Sequence, residues 1–264
     1  MAIKLIKFLP VLMTLVLSCD LSAKVKSVNT KTTQEVYQLS YIEREPGTDE
    51  YEVTLLVSDR YIRVDESGES SGFIIYDDKD RVIYSVSHHD ESVLAIEEFP
   101  FLEKDSPVKA SVEYLQLADA PKVSGQDIYN YRVFIAGEKN LNNDLNNETQ
   151  NEEGETCTEL QIVENILPEV RQILQNYQKL VSGQQVKMVD NKITEIQSAC
   201  FYADQIYNAG AYYEKGLPVQ EWHSNERSRL LISYERISVD SDKFNVPENY
   251  RKFSINSESK FSLQ

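Results

Sequence analysis

The chain has 264 residues, with 27 Lys and Arg against 43 Asp and Glu, for a formal charge of −16. That balance argues against a nucleic-acid binder, which needs a basic face to neutralise phosphates, and against docking on anionic lipid by charge alone. With 41% hydrophobic and 27% charged residues, the composition is that of a globular protein long enough for a sizeable core.

The first segment reads as an export signal. Lys4 and Lys7 precede the apolar run Phe8–Leu17, which is far shorter than the roughly 20 residues needed to span a bilayer. Small residues follow. Two cleavage points compete. Val16-Leu17-Ser18-Cys19 resembles a bacterial lipobox, with Cys19 as the lipidated first residue, while Leu21-Ser22-Ala23 suits ordinary signal peptidase. Residues 1–23 are therefore the export signal, or 1–18 if Cys19 carries lipid. Either mature chain is strongly acidic, at −18 for the lipidated form and −17 for the other.

From Glu35 to about Gly137 the apolar period is two, as in half-buried strands. Tyr37, Leu39 and Tyr41 alternate with polar residues, and so do Val53, Leu55 and Val57, then Ile62 and Val64. Val82, Tyr84 and Val86 repeat the pattern, followed by Val108, Ala110, Val112 and Tyr114, and by Tyr129, Tyr131, Val133 and Ile135. The turn clusters Glu45–Asp49, Asp65–Gly68, Asp77–Asp80 and Pro121–Gly125 lie between them. Spacings this short favour an antiparallel meander, because parallel pairs need long crossovers. Residues 138–156 are rich in Asn and Glu and read as an acidic surface loop.

The period then changes. Leu160, Val163, Leu167, Val170, Leu174, Tyr177 and Val181 form one helical stripe. Thr158 and Gln161, at capping-box spacing, predict its start, and Ser182-Gly183 its end. Val189, Ile193, Ile196, Cys200, Ala203 and Tyr207 predict a second helix. Strand pattern returns at Leu217–Trp222 and Arg229–Tyr234. The expectation is a single α+β domain over 24–256, followed by a tail at 257–264.

Cys157 and Cys200 are the two cysteines left to pair, since Cys19 is either lipidated or removed. In an oxidising compartment such a pair forms a disulfide. A plain helical hairpin about Ser182-Gly183 keeps the two apart, because Cys200 would face about Leu167, roughly 15 Å from Cys157 along the helix. A break at Pro168, which removes a helix hydrogen bond, would fold Thr158–Leu167 back and bring the cysteines together.

Three groups of segments carry a resemblance. Asp59–Asp65, Gly72–Asp77 and Arg81–Val86 resemble the paired-strand core of a bacterial envelope-protein family that is similar in fold to the LolA and LolB lipoprotein carriers. Gly216-Leu217-Pro218-Val219 resembles its strand return, and Phe244–Tyr250 its closing Phe-x-x-Pro-x-x-Tyr tail. The resemblance implies a strongly curved antiparallel sheet wrapping two or more helices around an apolar cavity.

No catalytic motif is present: there is no Gly-x-Ser-x-Gly elbow, His-Glu-x-x-His helix or phosphate-cradling loop. His88-His89-Asp90, with distant His223, is a weak metal candidate and reads better as a polar hairpin turn. Asp77, Asp78 and Asp80 read as turn residues, Glu43, Glu45, Glu97 and Glu98 as scattered carboxylates, and Trp222 as a packing residue. No catalytic residue, metal or cofactor is assigned, and no ligand-binding residue can be named. The functional expectation is a periplasmic or cell-envelope protein of a Gram-negative bacterium that carries an apolar ligand such as lipid or lipoprotein acyl chains. Its membrane contact would be through a lipid anchor alone. The alternative is a structural or protein-interaction component of the envelope with no ligand.

Overall fold

The structure, a computed structural model, describes residues 32–67, 72–99, 108–135, 154–190 and 198–255. The export segment 1–23 with Cys19, the tail 257–264 and residues 138–153 of the acidic stretch lie outside the described residues.

Strands β1 (Thr33–Arg44), β2 (Tyr51–Val57), β3 (Tyr61–Glu66), β4 (Gly72–Asp77), β5 (Val82–Ser87) and β6 (Ser92–Glu97) follow one another. They continue with β7 (Ala110–Gln116), β8 (Ile128–Ile135), β9 (Glu155–Val163), α1 (Pro168–Asp190), β10 (Leu217–His223), β11 (Ser228–Asp240) and β12 (Arg251–Ile255). All twelve strands belong to one sheet, in the order β12-β6-β5-β4-β3-β2-β1-β11-β10-β9-β8-β7. It is two antiparallel meanders, β1–β6 and β7–β11, joined where β1 pairs with β11 along its whole length. The one departure is β12, which runs parallel to β6 at the edge.

This corrects the expected fold class. The protein is not an α+β fold of the LolA/LolB kind with an antiparallel sheet wrapped around two or more helices. It is dominated by a mixed twelve-stranded sheet with a single regular α-helix among the described residues. Residues Thr158–Val163, expected to open a helix, lie in β9. There Thr158, Leu160 and Ile162 are buried at every second position, a period-two signal overlapping the three-four stripe. Pairing decides between the two periods, because β9 is hydrogen-bonded to β8 on one side and β10 on the other, satisfying its backbone groups across both edges. Glu155 and Thr156, expected in the acidic loop, are the first residues of β9.

Pro168 is the first residue of α1 and no break inside a helix. Its missing N–H costs nothing at that position, and its fixed φ suits the helix. Leu167 makes the turn from strand to helix at a positive φ of 46°, and its carbonyl accepts the helix bond from Arg171 at 3.0 Å. The expected stop at Ser182-Gly183 also fails, since α1 runs on to Asp190. Both residues serve packing instead. Ser182 Oγ donates to the Ile206 carbonyl at 2.9 Å, and a Cβ at Gly183 would come within 2.9 Å of the Phe99 carbonyl oxygen. The second predicted helix is, where described, the π-helix Phe201–Tyr207, followed by the 3₁₀ turn Ala211–Glu214.

One large core forms where Leu39, Leu55, Ile62 and Tyr76 of the sheet meet Val170, Ile173, Leu174 and Leu180 of α1. Tyr177 of α1 contacts the Tyr76 ring edge-on at 5.6 Å. No helix among the described residues is long and apolar enough to cross a membrane.

Candidate functional site

Between α1 and the sheet lies a cavity of about 280 Å³. Its apolar wall comes from the alternating inward positions Val53 and Leu55 of β2, Ile62 and Val64 of β3 and Ile74 of β4, together with Leu174 and Val181 of α1. Its polar wall comes from Glu43 of β1 and Glu45 just after it, Asp204 of the π-helix, Glu221 and His223 of β10, and Arg229 of β11 with Arg227 just before that strand. Arg44 and Glu66, both exposed, mark the rim.

Strand parity puts these charges inside. Residues two apart share a face, so Glu43 follows buried Leu39 and Tyr41 inward, and Glu221 and His223 follow Val219. The disulfide between Cys157 and Cys200 is present, with a Cα separation of 4.9 Å. It ties β9 to the residue preceding the π-helix. Asp204, four residues beyond Cys200, is thereby brought to His223, beside Thr158.

His223 Nδ1 lies 3.0 Å from Asp204 Oδ2 and 3.1 Å from Thr158 Oγ1, and Nε2 lies 3.6 Å from Glu221 Oε2. Asp204 also accepts from Gln205 Nε2 at 2.6 Å. Burial opposes the imidazolium charge, but hydrogen bonds and attraction from both carboxylates outweigh it, and the His223 pKa is pushed up to about 9. His223 is thus a cation near neutral pH.

Arg229 pairs with Glu43, Nε to Oε1 at 2.7 Å, with their side chains 20% and 16% exposed. Its guanidinium also stacks on the Tyr41 ring, 4.1 Å from the centroid. Burial would disfavour its charge, but Glu43, Tyr41 and Glu221 hold its pKa above the usual arginine value. Nearer the rim, Arg227 Nε donates to Glu45 Oε1 at 2.9 Å.

The other residues singled out in the sequence lie elsewhere. His88 and His89 sit in the β5–β6 turn but do not converge. His88 Nδ1 meets the Tyr250 hydroxyl at 2.7 Å, while exposed His89 lies beside Asp90. Among the described residues no group of three His, Cys, Asp or Glu side chains is placed to hold a metal ion. Asp77 accepts from Lys79 N at 3.0 Å, Asp80 N at 3.2 Å and Arg60 Nε at 2.9 Å, so this acidic run pins the β4–β5 turn. Glu98 pairs with Arg81 at 2.7 Å. Trp222 is 38% exposed. Of the scattered carboxylates, Glu43 and Glu45 belong to the cavity. Sequence reasoning missed Asp204, Glu221 and Arg229, although the even spacing of Val219, Glu221 and His223 in β10 carried a readable signal.

No protein-family model matches the chain, and no curated protein matches it. Among solved structures, it is similar to an uncharacterised conserved protein from Thermus thermophilus. The identity is 8% over 86% of this chain and 93% of that one, with a TM-score of 0.39. It is also similar to PNGF-II, at 8% identity over 85% of this chain and 31% of that one, with a TM-score of 0.37.

Proposed function

We propose that the protein is an exported cell-envelope binding protein that takes a small ligand with an apolar body into the cavity between α1 and the sheet. The cavity carries this reading. At about 280 Å³ it falls just below the range of roughly 300–1,000 Å³ for small-molecule sites, which combine an apolar lining with a few placed polar groups. The ligand is therefore small, with room for a short chain and not for a whole lipid. The basic start and short apolar run of residues 1–23 support export. So does the Cys157–Cys200 bridge, of a kind that persists in oxidising compartments.

Native mass spectrometry of the protein recovered from the envelope fraction tests both parts. The expected result is a chain lacking at least the first 18 residues, carrying a reproducible small-molecule adduct that a cavity-filling Leu174→Trp variant lacks. Intact Met1 protein in the cytosol would end the export reading, and a ligand-free mature protein would end the binding reading.

The alternative, a protein-interaction component of the envelope, draws on one observation. Edge strand β7 presents Val112 at 46% and Leu115 at 64% exposure, and exposed sheet edges invite pairing with another chain. A mature protein with no adduct but a stable protein partner lost in Leu115→Lys would favour it.

A further inference from the structure

Two cavity residues have hydrogen bonding that does not close, Gln185 at Oε1 and Arg229, and of these Arg229 carries the charge. Four-fifths of its side chain is buried, and its Nε is buried without a hydrogen-bond partner. Glu43 Oε1 lies 2.7 Å from that nitrogen but off the N–H direction. Among the described residues no hydrogen bond is made by the guanidinium. Buried polar groups are almost always satisfied, and an unsatisfied charged donor is costly. The Nε itself is enclosed and faces Glu43, so it is the two Nη groups, neither enclosed nor hydrogen-bonded, that offer their N–H donors to an acceptor oxygen from the cavity's contents.

The surrounding charges narrow the kind of oxygen. The inner polar wall holds three carboxylates, Glu43, Asp204 and Glu221, against two cations, Arg229 and His223. A carboxylate ligand would bring a further negative charge beside Glu43 and Glu221. An ammonium ligand would face Arg229, and it would find Asp204 engaged by His223 and Gln205, and Glu45 by Arg227. A neutral acceptor avoids both costs. Opposite the polar wall, Leu55, Ile62, Val64 and Leu174 give an apolar chain its contact.

We propose that the ligand presents a neutral carbonyl oxygen, that of an amide or ester, to Arg229 and lays a short aliphatic chain against Leu55, Ile62, Val64 and Leu174. This rests on the binding function proposed above and names its ligand class.

Calorimetric titration of the mature, disulfide-bonded protein at pH 7 tests it with hexanamide, hexanoate and hexylammonium. These share one chain and differ in head charge, and benzene serves as a probe with no head group. Hexanamide is expected to bind about tenfold or more tighter than either charged analogue. Arg229→Met should weaken hexanamide about tenfold, the scale of a hydrogen bond to a charged group, and leave benzene unchanged, with Arg229→Lys in between. Because Arg229→Met strips Glu43 of its counter-charge, the double variant Glu43→Gln/Arg229→Met carries the same test if the single variant does not fold. Tighter binding of hexanoate or hexylammonium, or hexanamide binding that ignores Arg229, overturns the proposed ligand class while leaving the cavity function standing. Failure of all four probes, benzene included, overturns both.

Discussion

His223 shows how far one residue's chemistry depends on its neighbours. It is a strand residue that parity turns inward, held between Asp204 and Glu221. Its pKa is pushed from 6.5 up to about 9 against the pull of burial. A raised folded-state pKa stabilises the fold fully below the unfolded value, and that contribution disappears as pH rises through the folded value. The imidazolium should therefore contribute roughly 3 kcal/mol below about pH 6.5, falling away toward pH 9 and above. Urea unfolding at pH 6 and pH 9.5 checks this. The wild type should lose that increment between the two pH values, while His223→Gln, less stable at pH 6, should lose little more. Equal losses in both proteins would remove His223 from the account.

At the scale of elements, the Cys157–Cys200 bridge fixes the π-helix against β9 and with it the polar wall of the cavity. It closes a loop 43 residues long, and the chain-entropy model assigns such a loop about 4 kcal/mol. Cys157→Ser/Cys200→Ser should accordingly lower unfolding stability by roughly 2–4 kcal/mol, measured in guanidinium. It should also release Asp204, so that the His223 pKa followed by NMR moves down toward 6.5. A double variant that keeps both its stability and the raised His223 pKa would count against this positioning role. The neighbouring strand return is equally constrained. A Cβ on Gly216 would come within 2.4 Å of Ile162 Cγ2 and of the Val163 carbonyl oxygen, so only glycine lets the chain enter β10 this close to β9.

For the whole molecule the decisive contact is β1 with β11, which turns two meanders into one sheet. Leu39 lies there, fully buried, with Tyr234 of β11 on one side and Leu55 of β2 on the other. Leu39→Ala should cost about 2–5 kcal/mol, as large-to-small core changes do. Because both meanders share this junction and one core, the variant should still unfold in a single transition at lower temperature. Calorimetry resolving two separate transitions would mean that the meanders fold independently.

Much of this was legible in the chain itself. Alternation at Tyr37–Tyr41, Val53–Val57, Ile62–Val64, Val82–Val86 and Tyr129–Ile135 located strands, because a residue's side of a sheet depends only on its parity. Counting cysteines left Cys157 and Cys200 as the pair. The nature of 158–167 was not legible. Its apolar residues satisfy both a two-residue and a three-to-four-residue period, and only the flanking β8 and β10, distant in sequence, resolve the ambiguity by taking up its backbone hydrogen bonds. The same holds for the cavity. Glu43, Asp204, Glu221, His223 and Arg229 come from four separate elements, so their charges acquire meaning only when the sheet and the disulfide bring them within a few ångströms. Local sequence fixes which face a side chain takes, whereas the residues it meets there are set by pairings that no local pattern encodes.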